Sequence, residues 1–429
     1  MSPNKVFQNA KWIVCCKIIQ SLIQLVIGMI SARYLGPSNY GLISYAASVV
    51  AFAVPVMQLG MTSTLVQEYV LREEEEGSVT GTGLVMSMVS ALACMVGVTC
   101  FVSVANRGEP ETIIVCVLYS VSILFQAAGL LQYWFQAKLL SKYASLAALG
   151  AYVVVSAYKV WLLASGKSVY WFALSHAVEY GVTAVLYLAA YRRAGGRKLS
   201  FSRKLAGAMF QKSRYYILAN LMVTVFQNTD HVMLKMMVDN TENGYYTTAV
   251  TCLGVVQFVY IAIIDSATPM ILAKKSESRE AYERNISRLY AVIIYLTLAQ
   301  SIGFAVFAKL IVWILYGGAY LPAVPVLQVL AWQVPFSFMG MVRNVWILAE
   351  EKHNLLWLIN LCGVGANVVL NACMIPLWGA CGAALASVLT QVITNFVVGF
   401  LLKSIRPNNR LLMRGLDPRC LLEALRKLR

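Results

Sequence analysis

Seven ionisable side chains set inside otherwise apolar stretches are where this 429-residue chain could do chemistry. Four are cations, Lys17, Arg33, Lys235 and Arg343, and three are carboxylates, Glu179, Asp230 and Asp265. A charge at the centre of a bilayer costs at least about 2.5–3.5 kcal/mol, so each needs a partner or a wet cavity. Cations so placed can meet an anion, while a carboxylate can take up and release a sodium ion or a proton. Glu179 and Asp230 lie deepest in their runs. Lys17, Lys159, Asp265 and Arg343 are intermediate, and Arg33, Lys235 and Lys309 lie nearer a boundary. Each cation has a second reading, a long side chain snorkelling to the headgroups, and Lys309 is left to it. Asp230 either pairs with a lysine or with His231, or holds a coupling ion. His176 and Glu179, three residues apart, share a helical face and form either a satisfied pair or a proton relay.

Those residues need long apolar elements to hold them. The hydrophobic set makes up 59% of the chain and charged residues only 13%, against about 45–50% and about 25% in soluble proteins. This is an all-α integral membrane protein. A spanning helix needs about 20 mostly apolar residues, and twelve such runs can be marked: 11–32, 41–64, 81–105, 112–134, 144–165, 169–191, 215–238, 245–271, 289–313, 323–348, 355–376 and 379–402. They give an N-terminal six-helix half (1–191), a basic linker (192–214), a C-terminal six-helix half (215–402) and a basic tail (403–429), with a central cavity expected between the halves. The tail ends LLEALRKLR, a pattern for a short amphipathic helix in the interface.

The net charge of +16 would suggest nucleic acid in a soluble protein, but its distribution excludes that. With the N-terminus inside, 27 lysines and arginines fall in inside segments, three in outside segments and five within spans. Such a split marks the cytoplasmic face and places both termini there. The linker cations are then expected against anionic lipid. The ten cysteines are scattered, with no CxxC pair, so neither a metal site nor a disulfide framework is expected. The outside loops are too short for a catalytic domain, and no GxxxxGK[ST] phosphate loop is present, so the chain reads as a non-enzyme without its own ATP hydrolysis.

Residues 33–41, RYLGPSNYG, close the first hairpin. Gly36-Pro37 and Ser38-Asn39 are turn chemistry, and Tyr34 and Tyr40 suit the headgroup level. Arg33 runs against the charge rule, so it either snorkels or faces the bundle. VDNTENGYYTTAVT repeats this layout in the second half. Pro55, Pro269 and Pro335 fall inside spans and are candidate kinks.

ARYLGPSNYG resembles the first-hairpin signature of bacterial polysaccharide flippases, the O-antigen and capsule exporters of the multidrug/oligosaccharidyl-lipid/polysaccharide superfamily. MQLGMTSTLVQEYV, NTDHVMLKMMVDNTENGYYTTAV, LYGGAYLPAVPVLQVL and GANVVLNACMIPLWGACGAALASVLTQ follow in the family's order and extend the resemblance over essentially the whole chain. Lys235 departs from it, where such proteins often carry glycine.

The resemblance implies an inner-membrane flippase for a polyprenyl-pyrophosphate-linked oligosaccharide, working by alternating access with Na+ or H+ as coupling ion and no other cofactor. It implies that Lys17, Arg33, Lys235 and Arg343 meet the pyrophosphate and that Asp230, Asp265 and Glu179 are the ion-coupling candidates. Tyr133, Trp134 and Tyr158 would either stack on sugars or belong to interfacial belts. A glycan polymerase and chain-length proteins are the implied partners, in O-antigen or lipopolysaccharide assembly. The alternatives are a multidrug antiporter of the same superfamily, a membrane polymerase or ligase, and a non-transporting scaffold of a glycan assembly complex.

Overall fold

In a hydrocarbon environment every backbone N–H and C=O must be satisfied within its own segment, so apolar runs of this length fold as helices. The computed structural model describes residues 3–352 and 354–426, and among them there is no strand. Nine stretches of the described residues are long and apolar enough to cross a membrane. Large side chains such as Leu22, Val89, Val96, Val185, Val306 and Leu377 are exposed along them, as a lipid-facing surface requires. The chain is a multi-pass membrane protein.

Contacts divide the chain into two compact units, one ending at Asn228 and the other starting at Thr229. The first unit contains α1 (Pro3–Met57), α2 (Leu65–Leu71), α3 (Glu76–Ala105), α4 (Pro110–Ser120), α5 (Ser122–Gln126), α6 (Leu131–Ala137), α7 (Ser141–Ala164) and α8 (Val169–Arg193). It also holds most of α9 (Arg203–Met237). The second contains the end of α9, α10 (Asn240–Glu277), α11 (Arg279–Tyr316), α12 (Ala323–Leu330), α13 (Gln333–Ala349), α14 (Asn354–Val392), a π-helical turn (Ile393–Val397), α15 (Val398–Leu401), α16 (Arg406–Gly415) and α17 (Pro418–Arg426).

Two long helices are broken at a glycine. Within α1, Gly36 takes φ 73° and ψ 170°, a conformation that only glycine adopts without strain. The RYLGPSNYG turn therefore lies where its chemistry places it, and Tyr34 Oη ties it to the Lys167 carbonyl at 3.1 Å. Within α14, Gly379 takes φ 53°. The Glu242 carboxylate accepts from the freed Ala380 N–H at 2.6 Å, an anion at a helix start. Three residues on, a Cβ at Gly382 would lie 2.1 Å from the Met374 carbonyl, so the two arms of this hairpin meet too closely for any other residue.

The basic linker is a docked strap. Ser200 N–H donates to Gly77 O at 3.2 Å and Ser202 N–H to Thr82 Oγ1 at 3.0 Å, laying the extended segment before α9 on the first turns of α3. Gly77 and Gly81 permit this approach, since a Cβ on either would meet the backbone of residues 198–200 at 2.3–2.4 Å. The acidic run beside it supplies counter-charges. Lys138 bridges Glu73 (2.8 Å) and Glu76 (3.1 Å), Arg197 donates to the Glu74 carbonyl, and the buried Glu68 takes Lys212 (2.5 Å) and Arg72 (3.1 Å). The Glu73 and Glu76 carboxylates hold the Lys138 ammonium above its ordinary pKa. An apolar core of Met61, Leu65, Tyr69, Trp134, Phe135 and Tyr191 backs this end of the unit.

After the last spanning stretch the chain turns back. α16 buries one face on α11, and α17, which holds the described part of the LLEALRKLR pattern (residues 427–429 lie outside the described residues), also contacts α11. Tyr290 Oη donates to Asn408 Oδ1 at 3.1 Å, Tyr295 Oη to the Leu416 carbonyl at 2.8 Å, and Arg288 pairs with Glu423 at 3.0 Å. These helices are thus packed against protein on one side instead of lying on lipid alone.

Candidate functional site

Among the described residues the second unit has one buried carboxylate, with an unusual shell. Asp230 sits near the end of α9 and is 7% exposed. Four neutral donors converge on it from two other helices. On Oδ1 are Asn367 Nδ2 at 3.0 Å and Asn371 Nδ2 at 2.5 Å; on Oδ2 are Tyr246 Oη at 2.5 Å and Ser387 Oγ at 2.6 Å. Tyr246 and Ser387 are also 3.0 Å apart. The spacing explains the convergence. Asn367 and Asn371 are one helical turn apart on the first arm of α14, Ser387 is on its second arm, and the hairpin at Gly379 brings the arms together. Asp230 forms no salt bridge among the described residues. His231, the next residue, points elsewhere, with Nδ1 2.8 Å from Asn243 Oδ1 and 3.3 Å from Thr247 Oγ1.

The Oδ1 atoms of Asn367 and Asn371 are buried without a hydrogen-bond partner. A buried acceptor with no donor is disfavoured. A carboxamide can turn over to present either N–H or C=O to the same neighbour. Asp230, the two carboxamides, Ser387 and Tyr246 are therefore all hard oxygen donors around a single negative charge, the set that suits a small monovalent cation. The residues present fit such an ion.

The first unit has two polar features. His176 Nδ1 lies 3.9 Å from Glu179 Oε2, so these residues do meet, with the Tyr119 ring 4.4 Å from the imidazole. Lys159 on α7 is within electrostatic reach of Glu179. Separately, a recess of about 540 Å³ is bounded by α1, α8 and α9 and by the segment around Gln126. Nine of its thirteen lining residues are polar and none is charged. Five are carboxamides: Gln58, Gln126, Asn220, Gln227 and Asn228. Tyr133 and Tyr180 add two rings. Gln126 donates to Ser122 Oγ at 3.2 Å and Asn228 to the Thr224 carbonyl at 2.9 Å, while Gln58, Asn220 and Gln227 make no side-chain hydrogen bond among the described residues.

A sequence profile described as "Polysaccharide biosynthesis protein" matches residues 6–275, more than half of the 429-residue chain. The chain belongs to this family. No curated relative matches it by sequence. Among solved structures it resembles the lipid II flippase MurJ in an inward closed conformation, with a TM-score of 0.74 at 14% identity over 94% of this chain and 90% of that one. It also resembles an inward-facing multidrug resistance MATE transporter of the MOP superfamily, with a TM-score of 0.68 at 15% identity over 93% and 96%. A Vibrio cholerae MATE transporter, VcmN, gives 0.59 at 10% identity over 96% and 100%. The polysaccharide biosynthesis family member thus has the fold of MOP-superfamily transporters, and these neighbours are transporters and flippases rather than enzymes.

The remaining nominated residues fall in different surroundings. Lys17 and Arg33 are exposed on α1, and Asp265 is exposed on α10. Lys235 is 7% exposed, one turn beyond His231 on α9. Arg343 is 4% exposed, and its guanidinium donates to the Thr394 carbonyl at 2.8 Å and to Asn344 Oδ1 at 3.3 Å. Thr394 belongs to the π-helical turn, where the widened ladder leaves a carbonyl for the side chain to take. Tyr133 lines the recess, Trp134 is core, and Tyr158 stacks on Trp161 at 5.9 Å.

Sequence reasoning found Asp230 but gave its four hydrogen-bond donors no role. The Asn367/Asn371 pair was the available signal, since two carboxamides at i and i+4 in an apolar run share one face. Ser387 and the recess carboxamides carried none, being common residues spread over distant segments.

Proposed function

We propose that this protein translocates a polyprenyl-pyrophosphate-linked oligosaccharide from the cytoplasmic to the outer leaflet by alternating access, coupled to sodium at Asp230. In this reading the nine apolar stretches, two of them divided at Gly36 and Gly379, together with α9, make twelve crossings. The lysine- and arginine-rich face is cytoplasmic, both termini lie there, and the membrane is the bacterial inner membrane.

The observation that carries the cargo assignment is the recess. Sugar hydroxyls both donate and accept, and carboxamides answer both roles without the desolvation penalty of a charge. Tyr133 and Tyr180 offer rings for sugar faces. A pocket for cationic drugs would need carboxylates, and this one has none, while its five carboxamides set hydrogen-bonding groups among apolar walls. We assign the pyrophosphate to Lys17 and Arg33, both exposed residues. Lys235 and Arg343 are buried in this conformation and would reach the anion only in another.

A bound sodium ion supplies the charge that neutralises Asp230. Asp230, Asn367, Asn371, Ser387 and Tyr246 would hold it. Turning over of the two carboxamides would report the ion to the first arm of α14, and Ser387 would report it to the second.

Binding of a short-chain polyprenyl-pyrophosphate oligosaccharide to purified protein tests the cargo reading. Gln58→Leu with Asn220→Leu is expected to weaken it at least tenfold, while binding of the bare polyprenyl pyrophosphate stays unchanged. Equal affinity of the variant and the unaltered protein for the glycan-bearing lipid would refute the assignment.

A further inference from the structure

We infer that the exposed face of α16 is a binding site for the phosphate headgroup of an anionic bilayer phospholipid. α16 is amphipathic in an informative way. Asn408, Asn409, Leu411, Leu412 and Gly415 are buried against protein, so that side is spoken for. The opposite side carries Arg406, Arg410 and Arg414 at successive turns, with Met413 between them, all exposed. The i, i+4, i+8 spacing stacks three guanidiniums in one row.

The row borders a recess of about 850 Å³ whose apolar wall is Phe400 and Met413. Phe400 belongs to α15, the last turn of the last spanning stretch, and is 44% exposed; Leu401 beside it is 70% exposed. The arginines therefore begin where the hydrocarbon-facing surface stops, at the depth of the headgroups. Phe400, Leu401 and Met413 can meet acyl chains while the guanidiniums meet a phosphate, to which their planar forks are matched.

Charge complementarity selects the occupant. Across residues 402–420 there are five basic residues against one acidic residue, Asp417. Two of the three arginines have local contacts. Arg406 Nε donates to the Phe400 carbonyl at 3.3 Å, and Arg414 pairs loosely with Glu283 at 3.8 Å. Arg410 makes no hydrogen bond or ion pair among the described residues. An anionic diester fits this row, and a zwitterionic lipid brings its own cation into it.

The test uses the full chain in neutral detergent, with thermal unfolding followed as phosphatidylglycerol, phosphatidylcholine, bare polyprenyl pyrophosphate or inorganic phosphate is added. Phosphatidylglycerol is expected to raise the midpoint in a saturable way, with phosphatidylcholine and millimolar phosphate giving no shift. Arg410→Gln, which disturbs no contact, is expected to weaken the phosphatidylglycerol effect about five-fold, as loss of one charge near an anionic surface does. Arg410→Lys is expected to restore most of it. A phosphatidylglycerol effect equal in Arg410→Gln and the unaltered protein would overturn the site, as would equal stabilisation by phosphatidylcholine. Saturation by polyprenyl pyrophosphate alone would overturn the choice of a bilayer lipid as occupant.

Discussion

Asn371 Nδ2 lies 2.5 Å from Asp230 Oδ1, while its own Oδ1 is buried without a partner. One side chain thus satisfies the carboxylate and is itself left half unsatisfied. Asn371→Leu removes both roles at similar volume. With the ion bound, the turned-over carboxamide would give it an oxygen, and losing one such contact to a charge costs about 1.5–3 kcal/mol, so sodium-dependent stabilisation of the purified protein should need roughly ten-fold or more extra sodium. Titration of the unfolding midpoint with NaCl against choline chloride reads this directly. Asn371→Asp should behave differently, since a second carboxylate favours a divalent ion, and calcium should then stabilise where sodium did.

The Glu242–Gly379 contact makes a separate stability prediction. Gly379 sits at φ 53°, and a Cβ there would lie 2.6 Å from Glu242 Oε2. Gly379→Ala should lower stability by about 1–2 kcal/mol from the left-handed backbone alone. Glu242→Ala should remove the cap on the Ala380 N–H and lose about 0.5–2 kcal/mol. The two residues touch, so the double variant should lose less than the sum. Additive losses in a double-mutant cycle would show that the contact carries no energy.

The linker strap predicts protease behaviour. A Cβ on Gly81 would lie 2.4 Å from the Ser200 carbonyl oxygen, so Gly81→Val cannot keep the segment docked. Limited trypsin digestion should then cut after Arg197 or Lys198 several times faster than in the unaltered protein, with the spanning helices still intact. Unchanged cleavage kinetics would mean that the strap is not held by this contact.

Parts of this architecture were legible in the residues themselves. Gly36-Pro37 announced a break because glycine alone takes the φ of 73° at position 36 without strain and proline presets the next torsion, and the depth of Asp230 announced a function because an aspartate cannot snorkel from there. Other parts were not. The cations of 192–214 are exposed, but charge alone does not reveal that Arg197 and Lys212 also engage the acidic run; the strap depends on Gly77 and Gly81, glycines whose role appears only when another backbone is laid on them. LLEALRKLR showed a helix with an apolar face but gave no sign that α11 would cover part of α16 and α17. Arg343 looked like a cargo cation, and its engagement with the Thr394 carbonyl depends on a π-helical turn that no residue pattern here announces.

The account turns on ion-coupled movement of a lipid-linked glycan, and reconstituted vesicles measure that movement directly. A short-chain polyprenyl-pyrophosphate oligosaccharide is loaded on the inner leaflet, and its arrival on the outer leaflet is read with an added glycosidase. We predict transfer that is faster under an imposed sodium gradient than without one, and that loses this dependence in Asp230→Asn. Transfer no faster than in protein-free vesicles, under either gradient direction, would contradict the account.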